Sequence, residues 1–232
     1  MDKKFLEVKV RIRDEICKLA PNTKLPSERD LIEKFGYSRP TIQKALTELE
    51  KEGVIYRIAR QGSFVADRRL RKSLNRLQSF KEDMLAGGDT PTTRLLSFEK
   101  VEADEAVADH LNVAIGDPVY RIVRVRCKNG DPIIYDINHF CPFCIKGIGC
   151  ETLVESIYDY IEQTNGFHPS MAEETIDAIL PDEEIARQLG LPPNAPVIKI
   201  EMTAYLSDGR AFEYTISYKN PKKYCLEIRS YR

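Results

Sequence analysis

Apolar residues recur over the first fifty positions with the 3.6-residue period of amphipathic helices. Phe5, Val8, Ile12, Ile16 and Leu19 stripe one helix, Leu31, Ile32 and Phe35 form the inner face of a second, and Ile42, Ala45, Leu46 and Leu49 stripe a third. Punctuation agrees with the period. Ser27 is placed as an N-cap with Asp30 at the capping-box offset, and Gly36 supplies the left-handed residue that ends the second helix. Tyr37 then leads straight to Ser38, a second N-cap, with Pro40 in a first turn that needs no N–H from it. Gly53 caps the third helix. Val54–Ile58 and Ser63–Ala66 read as strands around the tip Ala59-Arg60-Gln61-Gly62. Helices joined by a tight turn and followed by a hairpin predict a winged helix-turn-helix, which lays one helix in the major groove of DNA.

The pattern then changes. Asp67–Asn75 is charged and poor in apolar residues, which reads as a linker. Beyond it lies an internal echo. Ala103-Asp104-Glu105-Ala106-Val107-Ala108, Leu111, Pro118-Val119 and Asn129-Gly130 return as Pro181-Asp182-Glu183-Glu184-Ile185-Ala186, Leu189, Pro196-Val197 and Asp208-Gly209. Each copy predicts a short helix, a strand, a type I′ turn and another strand. Neither copy can bury its apolar face alone, so the two are expected to share one mostly antiparallel sheet. Ser156–Gln163 reads as a helix, Thr175–Leu180 as a further strand and Leu226–Tyr231 as the last strand. The expected fold is therefore α+β. Residues 1–67 form the winged helix-turn-helix, 68–78 a linker, and 79–232 a mostly antiparallel-sheet α/β domain.

Charge sharpens the division. The whole chain is near neutral, at a formal −1, but residues 1–72 sum to +7 and the remainder to −8. A basic head is what neutralisation of DNA phosphates requires. Once the apolar stripe of the third helix is set aside, Arg39, Thr41, Gln43, Lys44 and Thr47 face outward. Arg and Gln can pair with base edges, while Ser, Thr and Lys suit phosphates.

In the body, Arg124 and Arg126 stand two apart on a predicted strand, so both point to one face of an otherwise apolar segment. Two arginines there call for an anion, phosphate or carboxylate. The alternative is that the other face is buried and the arginines are solvated. Ser156, at the start of a predicted helix, sits where backbone N–H groups also favour an anion. The six cysteines offer a second candidate. Cys141 and Cys144 form a CxxC, with Cys150 close behind and His139 just before, so a metal- or redox-responsive site is conceivable. A zinc signature needs a second such pair, which is lacking, and no metal or cofactor is expected. His110 and His168 have no metal or triad spacing. No apolar run is long enough to span a membrane and no signal-peptide core opens the chain, so a cytoplasmic location is expected.

The head resembles the winged-helix domain of GntR-family bacterial transcription regulators. The resemblance rests on Leu25-Pro26-Ser27-Glu28-Arg29, Gly36-Tyr37-Ser38-Arg39-Pro40-Thr41, Ala45-Leu46, Glu52-Gly53 and Gly62-Ser63-Phe64-Val65. Gln43 and Pro40 depart from the family's usual residues. The DNA-binding set this implies is Arg29, Ser38, Arg39, Thr41, Gln43, Lys44, Arg60 and Gly62.

The body resembles the UTRA effector-binding domain of the HutC subfamily, whose fold is related to chorismate lyase. Here the carriers are Ser79-Phe80 with Glu82-Asp83-Met84, Asn129-Gly130-Asp131-Pro132-Ile133, Ser156-Ile157-Tyr158 and Arg210-Ala211-Phe212-Glu213-Tyr214. The resemblance implies an effector site of Lys81, Arg124, Arg126, Asp136, Ser156, Glu213 and Tyr218, in which the arginines and Ser156 take the phosphate of a phosphosugar and the acidic residues take sugar hydroxyls. It also implies a homodimer that acts as a repressor on double-stranded operator DNA. An enzyme is the competing class, but no nucleophile or general base has a partner at useful spacing.

Overall fold

Helix α1, Lys3–Ile16, forms where Val8, Ile12 and Ile16 can be buried together, and it stops before Leu19, which is left half-exposed outside the helix. A computed structural model describes residues 3–16, 18–67, 69–228 and 230, so Cys17, Arg68 and Tyr231 lie outside the described residues. Helix α2, Glu28–Phe35, opens on a complete capping box: the Ser27 hydroxyl accepts from the Asp30 N–H, and the Asp30 carboxylate accepts from the Ser27 N–H. It ends on Gly36, whose φ of +73° a side chain would resist. Helix α3, Arg39–Lys51, starts at Ser38, but the Ser38 hydroxyl meets the Thr41 hydroxyl at 2.8 Å rather than a backbone N–H. Helix α3 closes on Glu52, with left-handed Gly53 one residue later. Strands β1, Ile55–Ile58, and β2, Gly62–Val65, pair antiparallel and form the wing. Ile42, Ala45, Leu46 and Leu49 are all buried in one cluster with Val8, Ile12, Leu31 and Val65.

The chain divides at residues 68 and 69 into two units. In the second, the segment expected as a linker is partly strand. Leu70–Ser73 is β3, followed by α4, Phe80–Ala86, capped by Ser79 with Glu82 in a second capping box. Strand β4, Pro91–Glu102, is an element the sequence reading did not foresee. Helix α5, Glu105–Leu111, and the hairpin β5, Pro118–Lys128, with β6, Asp131–Phe140, complete the first repeat. Helices α6, Cys150–Val154, and α7, Ile157–Gln163, precede β7, Pro169–Ile179, which is longer than the expected Thr175–Leu180. The second repeat follows as α8, Glu183–Gln188, with β8, Val197–Leu206, and β9, Ala211–Lys219.

All six long strands form one antiparallel sheet in the order β4-β5-β6-β9-β8-β7, so the two strand–helix–hairpin repeats meet at β6 and β9. The two hairpins turn differently. Asn129 and Gly130 both have positive φ, as a type I′ turn demands. In the second copy only Gly209 does, and the Gly209 N–H donates to the Leu206 carbonyl, in a loop longer than that of the first hairpin. The last strand, β10, is Tyr224–Glu227 rather than Leu226–Tyr231. It pairs in parallel with β3, outside the main sheet.

Strand alternation gives that sheet two faces. One carries Val123, Val125, Tyr135 and Tyr218 and packs against Ile185 of α8 and Leu189 at its C-cap. The same face presents Thr203 and Tyr214 to His110 of α5. The other carries Arg124, Asp136, Asn138, Thr215 and Ser217. Elements α4, α6 and α7 lie over this second face. Phe80 of α4 covers Arg126, the Leu153 carbonyl of α6 reaches Arg124, and Tyr158 of α7 reaches Glu213.

Candidate functional site

The head gathers its expected DNA-facing residues from three elements. Arg29 is exposed in the first turn of α2; Ser38, at the N-cap of α3, is exposed, as are Arg39 and Lys44 on the helix, with Thr41 and Gln43 half-buried. Arg60, at φ +64°, forms the wing tip, and Gly62 opens β2. Glu28 is a residue the sequence reading missed. Its carboxylate accepts from the Gln43 amide at 2.9 Å and lies 3.6 Å from the Arg39 guanidinium. A carboxylate only accepts, so the contact fixes which end of the Gln43 amide faces it. Thr47 is engaged by Arg57 at 3.2 Å, and the Lys44 ammonium rests 4.8 Å from the Phe5 ring centre.

The body encloses a cavity on the sheet face beneath α4 and α7, lined by six of the seven expected effector residues. Arg124 is 1 % exposed. Its guanidinium donates to the Leu153 carbonyl at 3.1 Å and to Asn138 Oδ1 at 2.9 Å, and its Nε has no partner among the described residues. Solvated arginines, the alternative reading of this strand, are therefore not what the fold provides. Arg126 donates from Nε to Asp136 at 2.7 Å. Asp136 also accepts from the Ser217 hydroxyl. Burial pushes the Asp136 carboxyl up, but the Arg126, Lys219 and Arg124 charges outweigh it and hold the group below the usual carboxylate range.

Glu213 is surrounded by neutral donors, Tyr158 at 2.7 Å, Thr215 at 2.7 Å and Asn138 at 3.0 Å, and burial raises its carboxyl. Ser156 caps α7 by accepting from the Asp159 N–H, and Lys81 reaches Asp159 at 3.4 Å. The arrangement offers cations at one part of the wall and hydrogen-bonding carboxyls at another.

Tyr218 is a correction. It pairs with Lys199 and Tyr135 in the sheet, and its ring packs against Tyr135 on the α8 side, away from the cavity. The period of two in β9 puts Ser217 and Lys219 on the cavity side instead, and Lys219 lines the wall. Its buried position is invisible in a sequence that ends a strand with a lysine. The cysteines do not gather as a metal site among the described residues. Cys141 and Cys144 are buried, with burial pushing the Cys141 thiol up to about 11 and Cys144 higher still. Cys150 is exposed on α6, and His139 lies on the other sheet face beside Tyr214. Among the described residues no three His, Cys, Asp or Glu side chains gather as metal ligands, and no helix is long and apolar enough to cross a membrane.

A winged helix-turn-helix joined to a domain with a cation-bearing cavity is the architecture of a DNA-binding transcriptional regulator. Residues 5–65 match the family described as bacterial regulatory proteins, gntR family, and residues 86–225 match the UTRA domain. The chain belongs to the GntR family, in the branch that carries a UTRA domain. It is 36 % identical over 207 residues to the HTH-type transcriptional repressor NagR of Bacillus subtilis, covering 89 % of this chain and 85 % of that protein. It is 27 % identical to the mannosyl-D-glycerate transport/metabolism system repressor MngR of Escherichia coli, covering 95 % and 92 %. The crystal structure of PhnF from Mycobacterium smegmatis superposes with a TM-score of 0.68 at 25 % identity, over 97 % of this chain and 99 % of that one.

Proposed function

We propose that the protein is a repressor whose operator affinity falls when a phosphorylated sugar occupies the cavity of its C-terminal domain. The observation that carries this reading is Arg124, a buried guanidinium with an unpartnered N–H at the cavity wall, next to Arg126 and the Ser156 helix start. Arginine forks match phosphate oxygens, and the neutral-lined carboxyl of Glu213 suits sugar hydroxyls. NagR and MngR are named as repressors, and MngR's name refers to a glycoside. The protein acts as a homodimer, since one small head has little surface for tight binding and two-fold pairing doubles the contacts.

A fluorescence anisotropy titration on an operator selected from random DNA tests this. Hexose phosphates should release a complex of two chains per operator, while the matching free hexoses should not. Release by free sugars or amino acids alone overturns the reading. The same titration tests the DNA interface, where Arg29, Ser38, Arg39, Thr41, Gln43, Lys44, Arg60 and Gly62 are the proposed contacts. Arg39→Ala should weaken specific binding by about 1–3 kcal/mol if it reads a guanine, whereas Lys44→Ala should weaken all sequences evenly. Unchanged affinity in both variants rejects this docking.

A further inference from the structure

Most cations on the cavity wall already have an anionic partner: Arg126 meets Asp136 at 2.7 Å, Lys72 meets Asp83 at 3.0 Å, and Lys81 meets Asp159 at 3.4 Å. Two buried cations do not. Among the described residues, neither Arg124 nor Lys219 has a carboxylate at ion-pair distance. Arg124 is held by an amide and a carbonyl. Lys219, 8 % exposed, donates to the Ser217 hydroxyl at 2.9 Å and sits 4.7 Å from the Tyr224 ring centre. One hydroxyl leaves two of its three N–H donors unused. Glu213 does not pair with either cation, because its oxygens are taken up by Tyr158, Thr215 and Asn138. Glu174 lines the cavity from the edge strand β7, but it is exposed and, among the described residues, forms no ion pair with either cation.

Resting on the reading of the cavity as a phosphate site, we propose that it selects a doubly charged phosphate monoester over singly charged anions, with Lys219 as the specificity-determining second cation. Burying a charge without its counter-charge is costly, so two unmatched cations call for two negative charges. A phosphate monoester carries nearly two near neutral pH, with its second ionisation near 6. A sulfate monoester has the same tetrahedral shape and one charge.

The pH dependence follows from the same groups. Asp136 and Arg126 face Lys219 from β6 and β5, Lys72 and Asp83 from β3 and α4, Glu174 from β7 and Tyr224 from β10. Burial lowers the Lys219 ammonium to about 8, against the opposing pull of Asp136. Phosphate affinity should therefore fall below about pH 6, as the ester gains a proton. It should fall again above about 8, as Lys219 loses one.

Calorimetric titration of the full-length protein with methyl phosphate and methyl sulfate tests the proposal. The phosphate should bind about 10- to 100-fold more tightly at neutral pH. Lys219→Met should bring the ratio close to one and remove the decline near pH 8, with ligand-free stability unchanged or raised because a lone buried cation is gone. Lys219→Arg should keep the ratio and shift that decline upward. Equal affinity for the two esters in the wild-type protein overturns the dianion proposal and leaves the phosphate reading standing. Failure of both esters to bind at millimolar concentration removes both readings.

Discussion

Replacing Arg124 by methionine should abolish the effector response while leaving effector-free operator affinity within about twofold. The side chain lines the cavity from the middle of β5 and lies within the second unit, so the change spares the head. Its guanidinium makes two hydrogen bonds already and keeps Nε free, so a bound phosphate would gain charge-assisted contacts worth about 1.5–3 kcal/mol each. Losing two of them costs at least 100-fold in effector affinity. Methionine fills the stem volume without a charge. Asn138 then loses a donor, at about 1–3 kcal/mol, but an unmatched buried cation is removed at the same time, so the domain should still fold. Operator anisotropy with a titrated hexose phosphate checks this. Release at the wild-type concentration would place the effector site elsewhere.

Leu49→Ala should eliminate operator binding by unfolding the head alone. Leu49 is fully buried on α3, in a cluster that contains no residue beyond Val65. A buried Leu→Ala change costs about 2–5 kcal/mol. A domain of this size rarely has more than about 3–5 kcal/mol to lose. Calorimetry should show the head transition lowered or absent and the second transition unchanged, because the clusters of the C-terminal unit share no side chain with the head. A variant that keeps its operator affinity within threefold would show that the apolar stripe does not anchor the recognition helix.

The head was legible because its information is local. Periodicity, a capping box and a left-handed glycine each act within one or two turns of chain, and all three reappear at Ser27, Asp30 and Gly36. Where the expectation strayed, a neighbour intervened. Ser38 turned to the Thr41 hydroxyl rather than to a backbone N–H. In the body the repeat was legible from its helices and hairpins, yet β4 was not. Its burial alternates only partly and it lies at a sheet edge, so it carries a weak period-two signal. Strand β3 and its pairing with β10 were hidden for another reason. The two strands pair across some 150 positions, with Arg71 and Glu227 in ion-pair contact at 2.7 Å, and nothing local marks a charged segment as half of such a pair.

By itself the sequence determined a winged helix-turn-helix followed by a duplicated antiparallel unit, because caps, turns and apolar periods are set by residues within a few positions of one another. It also placed Arg124 and Arg126 on one strand face, since alternation is a property of the strand alone. Only the tertiary structure decided that this face is the enclosed one, that Asp136 forms its ion pair with Arg126 and not with Arg124, and that Lys219 rather than Tyr218 completes the wall. Those outcomes depend on which elements cover the sheet and on the register between β6 and β9. A shift of one residue there would exchange every side chain between cavity and core.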